Sequence, residues 1–185
     1  LIPVFAIIIA FLLGAGLILL AGLNPIAAYK AMFRSAFGNI NNFGETLIKM
    51  VPLLLAGLGT AVAIRAKIFN IGAEGQIQMG ALGAAVAGIF LVDLPPALGI
   101  VLTLLFGFIA GALWGGIAGL IKIRFKVNEI IVTLMMNYIA IGILSYLVTG
   151  PWRDPKSTEP YTAMFADSSI LPVILPGTRL HAGFL

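Results

Sequence analysis

Continuous apolar stretches about twenty residues long constrain this chain more than any other feature, because at 1.5 Å rise per residue each can cross a ~30 Å hydrocarbon core as a helix. Residues 2–23 form the first, rich in Ile, Leu and Ala with Gly14 and Gly16 inside it. Further stretches cover about 46–64, 73–92, 97–121 and 128–148. A β-barrel strand would instead alternate apolar and polar residues over about ten positions, so the spans read as helices. The chain is 61% hydrophobic and only 10% charged, with a mean hydropathy of +1.10. Soluble domains lie nearer ~45–50% apolar and ~25% charged. The expected fold is all-α: a polytopic transmembrane helical bundle of about five spans, with an extracytoplasmic amphipathic helix between the first two.

That extra helix is signalled by Asn24-Pro25, a capping residue followed by proline at the first helical position. Ile26, Tyr29, Phe33 and Phe37 then recur at helical spacing, while Lys30 and Arg34 take another face, until Gly38 ends the pattern. In the second span Pro52 is followed by the small residues Ala56, Gly57, Gly59 and Ala61, which let helix backbones approach. The fourth carries Gly107, Gly111, Gly115 and Gly119 at four-residue spacing, a stripe expected to pack against another helix. Arg65 and Lys67 join spans two and three, Lys122, Arg124 and Lys126 join spans four and five, and the return at Asp93-Leu94-Pro95-Pro96 has no cation. The positive-inside rule then places both basic joints in the cytoplasm and residues 24–45 and 150–177 outside.

The densest polar cluster is Arg65 to Met79, which places two cations, Asn70, Glu74, Gln76 and Gln78 between apolar stretches. Lys or Glu at the centre of a membrane helix costs roughly 2.5–3.5 kcal/mol on insertion scales, so such residues reach an interface, pair, or face a water-filled path. Arg124, Lys126, Asn128 and Glu129 repeat the pattern before the fifth span, and Thr133 and Asn137 continue it at four-residue steps along one face. Two readings stand side by side. Asn70 or Asn128 can cap a helix whose first turn favours Glu74 or Glu129. Alternatively the glycine-flanked segment dips inward, and Asn70, Glu74, Gln76, Asn128, Glu129, Thr133 and Asn137 line or gate a path.

Enzyme chemistry finds no support. There is no cysteine, and the single His181 cannot assemble a metal site that needs three or four ligands. No Gly-Lys dipeptide offers a phosphate-binding loop, and no Ser, His and carboxylate grouping stands in the spans, so no catalytic residue, cofactor or metal is expected. The cations of this +4 chain sit at the ends of apolar stretches, where they orient spans and do not bespeak a nucleic acid.

Three motifs carry a resemblance: Phe69-Asn-Ile-Gly-Ala-Glu-Gly-Gln76, Lys126-Val-Asn-Glu-Ile-Ile-Val-Thr-Leu-Met-Met-Asn-Tyr138, and Thr149-Gly-Pro-Trp-Arg-Asp-Pro155. Together they resemble the permease subunit of nucleoside-type ABC importers, relatives of the simple-sugar and branched-chain amino-acid permeases. The resemblance implies a multi-pass protein of a prokaryotic cytoplasmic (inner) membrane, working by alternating access. Its implied partners are a second permease subunit, a cytoplasmic ATP-binding subunit, an extracytoplasmic substrate-binding lipoprotein and the lipid bilayer. Residues 1–185 are then expected to be the N-terminal part of a single transmembrane permease domain, without its C-terminal spans and ATPase-docking loop. The rival readings are a simple-sugar, ribose-type ABC permease, an ion-coupled secondary transporter with Glu74 or Glu129 as proton carrier, and a purely structural membrane subunit.

Overall fold

The structure, a computed structural model, describes residues 2–91 and 93–184. Among these, six α-helices follow one another: α1 (Ile2–Leu20), α2 (Pro25–Phe37), α3 (Ile40–Arg65), α4 (Ala73–Phe90), α5 (Pro96–Phe125) and α6 (Glu129–Thr149). Short 3₁₀ turns at Asp167–Ser169 and Ala182–Phe184 punctuate the segment after α6. Contacts divide the chain into two compact units, one running to Lys49 and resuming at Val173, the other Met50–Pro172. The division falls inside α3, just before Pro52, which cannot donate the helical hydrogen bond to Ile48.

In the first unit Asn24 caps α2 as its sequence signals, its Oδ1 accepting from the Ile26 amide at 2.9 Å. Tyr29 ties α2 to α1 by donating to the Phe11 carbonyl at 2.6 Å, and its ring meets Phe11 edge-on with centroids 5.3 Å apart. Asn39 accepts from the Asn42 amide at 2.8 Å, which explains why α3 starts at Ile40 rather than near Thr46. Thr46 then donates to the Ala36 carbonyl at 2.9 Å.

Four helices, α1, α3, α5 and α6, are long and apolar enough to cross a membrane. The remaining expected span is α4, whose first two turns hold Glu74, Gln76 and Gln78 and whose 18 residues end at Phe90. Val92, where that span was expected to end, lies outside the described residues. α4 is nonetheless the most enclosed of the helices: its Gly75, Leu82, Ala85, Ala87 and Gly88 are buried against α5, α6 and the segment after α6, while Glu74 stays exposed. α5 runs four residues past the expected end, so its 30 residues span about 45 Å and carry Lys122 and Arg124 beyond the apolar core.

The seam between α4 and α5 explains the glycine stripe. A Cβ on Gly107 would stand 3.2 Å from the Gly80 carbonyl oxygen, one on Gly111 3.1 Å from that of Gln76, and one on Gly115 2.8 Å from Gln76 Nε2. Gly80 and Gly83 answer from α4, Gly83 facing Ala110 and Phe106. Residues 150–172 fold back over the other end. There Ala166 donates to the Gly88 carbonyl at 2.8 Å, and Trp152 packs edge-on to Phe90 with centroids 6.0 Å apart.

Two joints share an unusual backbone. Lys67 after α3 and Lys126 after α5 both have positive φ, 58° and 53°. An L-residue in that left-handed region costs roughly 1–2 kcal/mol, which glycine avoids.

Candidate functional site

The site is built around residues 68–76, which leave α3 and enter α4. Asn70 Oδ1 accepts from the Gly72 amide at 2.8 Å, turning the chain toward α4. Two side chains of α6 then hold the turn. Thr133 Oγ1 accepts from the Ile71 amide at 3.2 Å and donates to its own helix at the Glu129 carbonyl, 2.8 Å away. Asn137 does more: Nδ2 donates to the Ile71 carbonyl and Oδ1 accepts from the Gly75 amide, each at 2.9 Å. Gly75 belongs to the first turn of α4, where amides have no partner within the helix, so Asn137 caps α4 from another helix. Glycine is required beside it. A Cβ on Gly75 would lie 2.8 Å from Asn137 Oδ1, and one on Gly72 would lie 3.1 Å from Thr133 Cβ.

Around this turn the structure opens two pockets. One of about 330 Å³ is lined by Asn70, Gln76, Lys122, Glu129 and Thr133, with Gly115 and Gly119 as its floor. Another of about 420 Å³ lies among α3, α4 and α5, lined by Thr60, Asn70, Gln76 and Phe108 with Gly107 and Gly111. Asn70 and Gln76 line both and so stand between them. The second pocket offers only amide, hydroxyl, aromatic and aliphatic groups. The first adds a single ion pair, Lys122 Nζ to Glu129 Oε1 at 3.2 Å, which also ties α5 to α6 across the joint.

Four expected site residues therefore gather at one pocket: Asn70, Gln76, Glu129 and Thr133. The other three are placed elsewhere. Asn137 is buried and spends both ends of its amide on backbone, so it holds the turn and does not line the pocket. Asn128 caps α6 through the Ile130 amide at 2.9 Å. Glu74 is exposed and lines a separate depression with Pro52, Leu53, Ala56, Ile77 and Gln78. Along the stripe, a Cβ on Gly107, Gly111 or Gly115 would meet α4, whereas one on Gly119 would meet nothing within 4 Å. The reason is geometric: α4 begins at Ala73, and the residues before it are drawn toward α6 by Thr133 and Asn137.

Lys122, Thr60, Phe108 and Trp114 escape sequence reasoning. Lys122 and Glu129 face each other across a turn, and Phe108 and Thr60 sit in apolar helices with nothing to single them out. Trp114 Nε1 is buried without a hydrogen-bond partner, 3.2 Å from where a Cβ on Gly75 would stand. Among the described residues no group of three or more His, Cys, Asp or Glu could hold a metal ion.

Comparison with known proteins places the chain in a family. Residues 42–177 match the family model described as the branched-chain amino acid transport system/permease component. The whole chain is 37% identical to the guanosine ABC transporter permease protein NupP of Bacillus subtilis, covering 53% of it. It is 38% identical over 80% of its length to the nucleoside ABC transporter permease protein NupB of Lactococcus lactis, covering 41% of that protein. It is 34% identical over 99% of its length to a glucose ABC transporter permease protein of Haloferax volcanii, covering 50% of it. The chain thus spans about half the length of the curated relatives it matches. No solved structure matches it. With four helices fit to cross the bilayer and a match over most of its length, the chain is a multi-pass protein of the cytoplasmic membrane and belongs to the branched-chain amino acid transport system/permease component family, a transport component and not an enzyme.

Proposed function

We propose that the chain is part of the translocating subunit of an ABC importer for nucleosides, with Asn70 and Gln76 at the narrow point of the path. The observation that carries this reading is the pair of pockets that share these two amides. A nucleoside is neutral, offers donors and acceptors on its base and ribose, and has a flat aromatic face. Amides supply donors and acceptors together, and Phe108 supplies a surface for stacking. The curated relatives named for guanosine and nucleosides point the same way.

In this reading solute passes by alternating access between a second permease subunit and this one. An extracytoplasmic lipoprotein delivers it, and a cytoplasmic ATP-binding subunit supplies the energy. Glu129, Thr133 and Lys122 belong to the path near the basic joints, whereas Glu74, Asn128 and Asn137 support it. A simple-sugar permease is the second reading, favoured by the haloarchaeal glucose relative.

Uptake by the full-length permease with its partner subunits separates the two. Labelled guanosine or adenosine should be taken up, unlabelled nucleosides should compete, and excess glucose or ribose should not. Gln76→Ala should lower nucleoside uptake about five- to thirtyfold, since a lost polar contact at a constricted site costs on the order of 1–2 kcal/mol. Uptake of glucose that nucleosides leave untouched would overturn the nucleoside assignment.

A further inference from the structure

We propose that the two lysine-ended joints, with Arg65 and Lys67 on one and Arg124 and Lys126 on the other, form a docking surface for anionic phospholipid headgroups. The starting observation is the left-handed backbone at Lys67 and Lys126. Each closes its helix by backbone hydrogen bonds alone: Lys67 N to Ile64 O and Ile68 N to Ala63 O at 2.9 Å, and Lys126 N to Lys122 O at 2.9 Å. Glycine would close both helices with less strain, so what lysine adds is its ammonium group. A positive-inside bias does not require the cation at that strained position, because a lysine one residue to either side would serve it equally.

All four cations are exposed, and among the described residues none of them has an ion-pair partner, in contrast to Lys122 on Glu129. The joints open on the same side of the unit, since Ala63 and Ile68 from one line a single pocket with Lys122 and Ile123 from the other. Large apolar side chains stand among the cations: Phe69, Ile123 and Phe125 are 58%, 77% and 67% exposed. Cations interleaved with exposed aromatic and aliphatic groups match a surface that is itself anionic above and hydrocarbon below. The inference rests on α3, α5 and α6 being membrane spans and not on which solute is carried.

The test uses the full-length permease in a cysteine-free background, with a fluorophore on Ile123→Cys, reconstituted in phosphatidylcholine vesicles. A quencher is attached to phosphatidylglycerol in one set and to phosphatidylcholine in another, at equal mole fraction. Quenching by the anionic lipid should be several-fold stronger, should fall toward the neutral lipid's level at high salt, and should fall likewise in Lys67→Gly/Lys126→Gly. That variant relieves the backbone and so removes charge without unfolding the joints, and Lys67→Arg/Lys126→Arg should keep the preference. Equal quenching by the two lipids would overturn the proposal, as would a preference undiminished in the glycine variant. So would a glycine variant that shows no change in lipid preference but loses co-purification with the cytoplasmic ATP-binding subunit, which would assign the surface to an acidic protein.

Discussion

Asn137 shows how much one buried amide can determine. It bridges the Ile71 carbonyl and the Gly75 amide, so the entry to α4 is fixed by a residue more than sixty positions away in sequence. Leucine has nearly its shape but neither donor nor acceptor, and it would leave two backbone groups unpaired in a buried seam. Interhelical hydrogen bonds in membranes average about 0.6 kcal/mol and reach about 1.7, and stranding buried groups adds to that. Asn137→Leu is therefore expected to destabilise the purified permease by about 2 kcal/mol, and Thr133→Val by about 1 kcal/mol or less, because Thr133 supports only one amide of the turn. Thermal unfolding in detergent reads both. An Asn137→Leu protein as stable as the parent would remove the stitch.

At the scale of the helix pair, α4 and α5 approach closely because glycines on each helix leave room for the other's backbone and side chains. Gly111→Leu would drive a side chain into the Gln76 carbonyl, 3.1 Å from the first added carbon, with Gly80 Cα 3.7 Å away. Assembly and expression should drop, in line with overpacking costs of about 1–3 kcal/mol. Gly119→Leu meets no atom within 4 Å of its first carbon but projects into the pocket beside Lys122 and Glu129. It is expected to assemble normally and lose most of its uptake. Equal expression defects in the two variants, compared in the same membranes, would show that the stripe is a single packing surface after all.

For the whole protein the decisive question is the source of energy. Glu129 is engaged with Lys122, and Glu74 lies outside the two shared pockets, an arrangement that suits polar support better than proton carriage. Uptake by the full-length permease with its partners should survive collapse of the proton gradient at constant ATP. It should stop when the ATPase is disabled, and it should be only partly reduced by Glu74→Gln or Glu129→Gln. Uptake that follows the gradient and ignores the ATPase would replace this mechanism with ion coupling. Impermeant thiol labelling of single cysteines at positions 67 and 124 checks the orientation. Both should be protected in intact cells and modified in inside-out vesicles.

Sequence alone determined the helical, membrane-crossing character of the chain, because apolar length and the unsatisfiable backbone of a bilayer leave little else possible. It also determined the α2 cap at Asn24, since a cap depends on spacing within one element. The tertiary structure alone decided what each polar residue faces. Asn137 and Thr133 lie on the same face of α6 as Glu129, yet the nearness of the Ile71–Gly75 backbone turns Asn137 wholly into a clamp, while Thr133 both holds the turn and lines the pocket with Glu129. Likewise Gly119 repeats the stripe but has no partner, because α4 begins too late to meet it. A periodic pattern specifies which side of a helix a residue occupies. Only the path of the neighbouring chain specifies whether that side meets backbone, water or lipid.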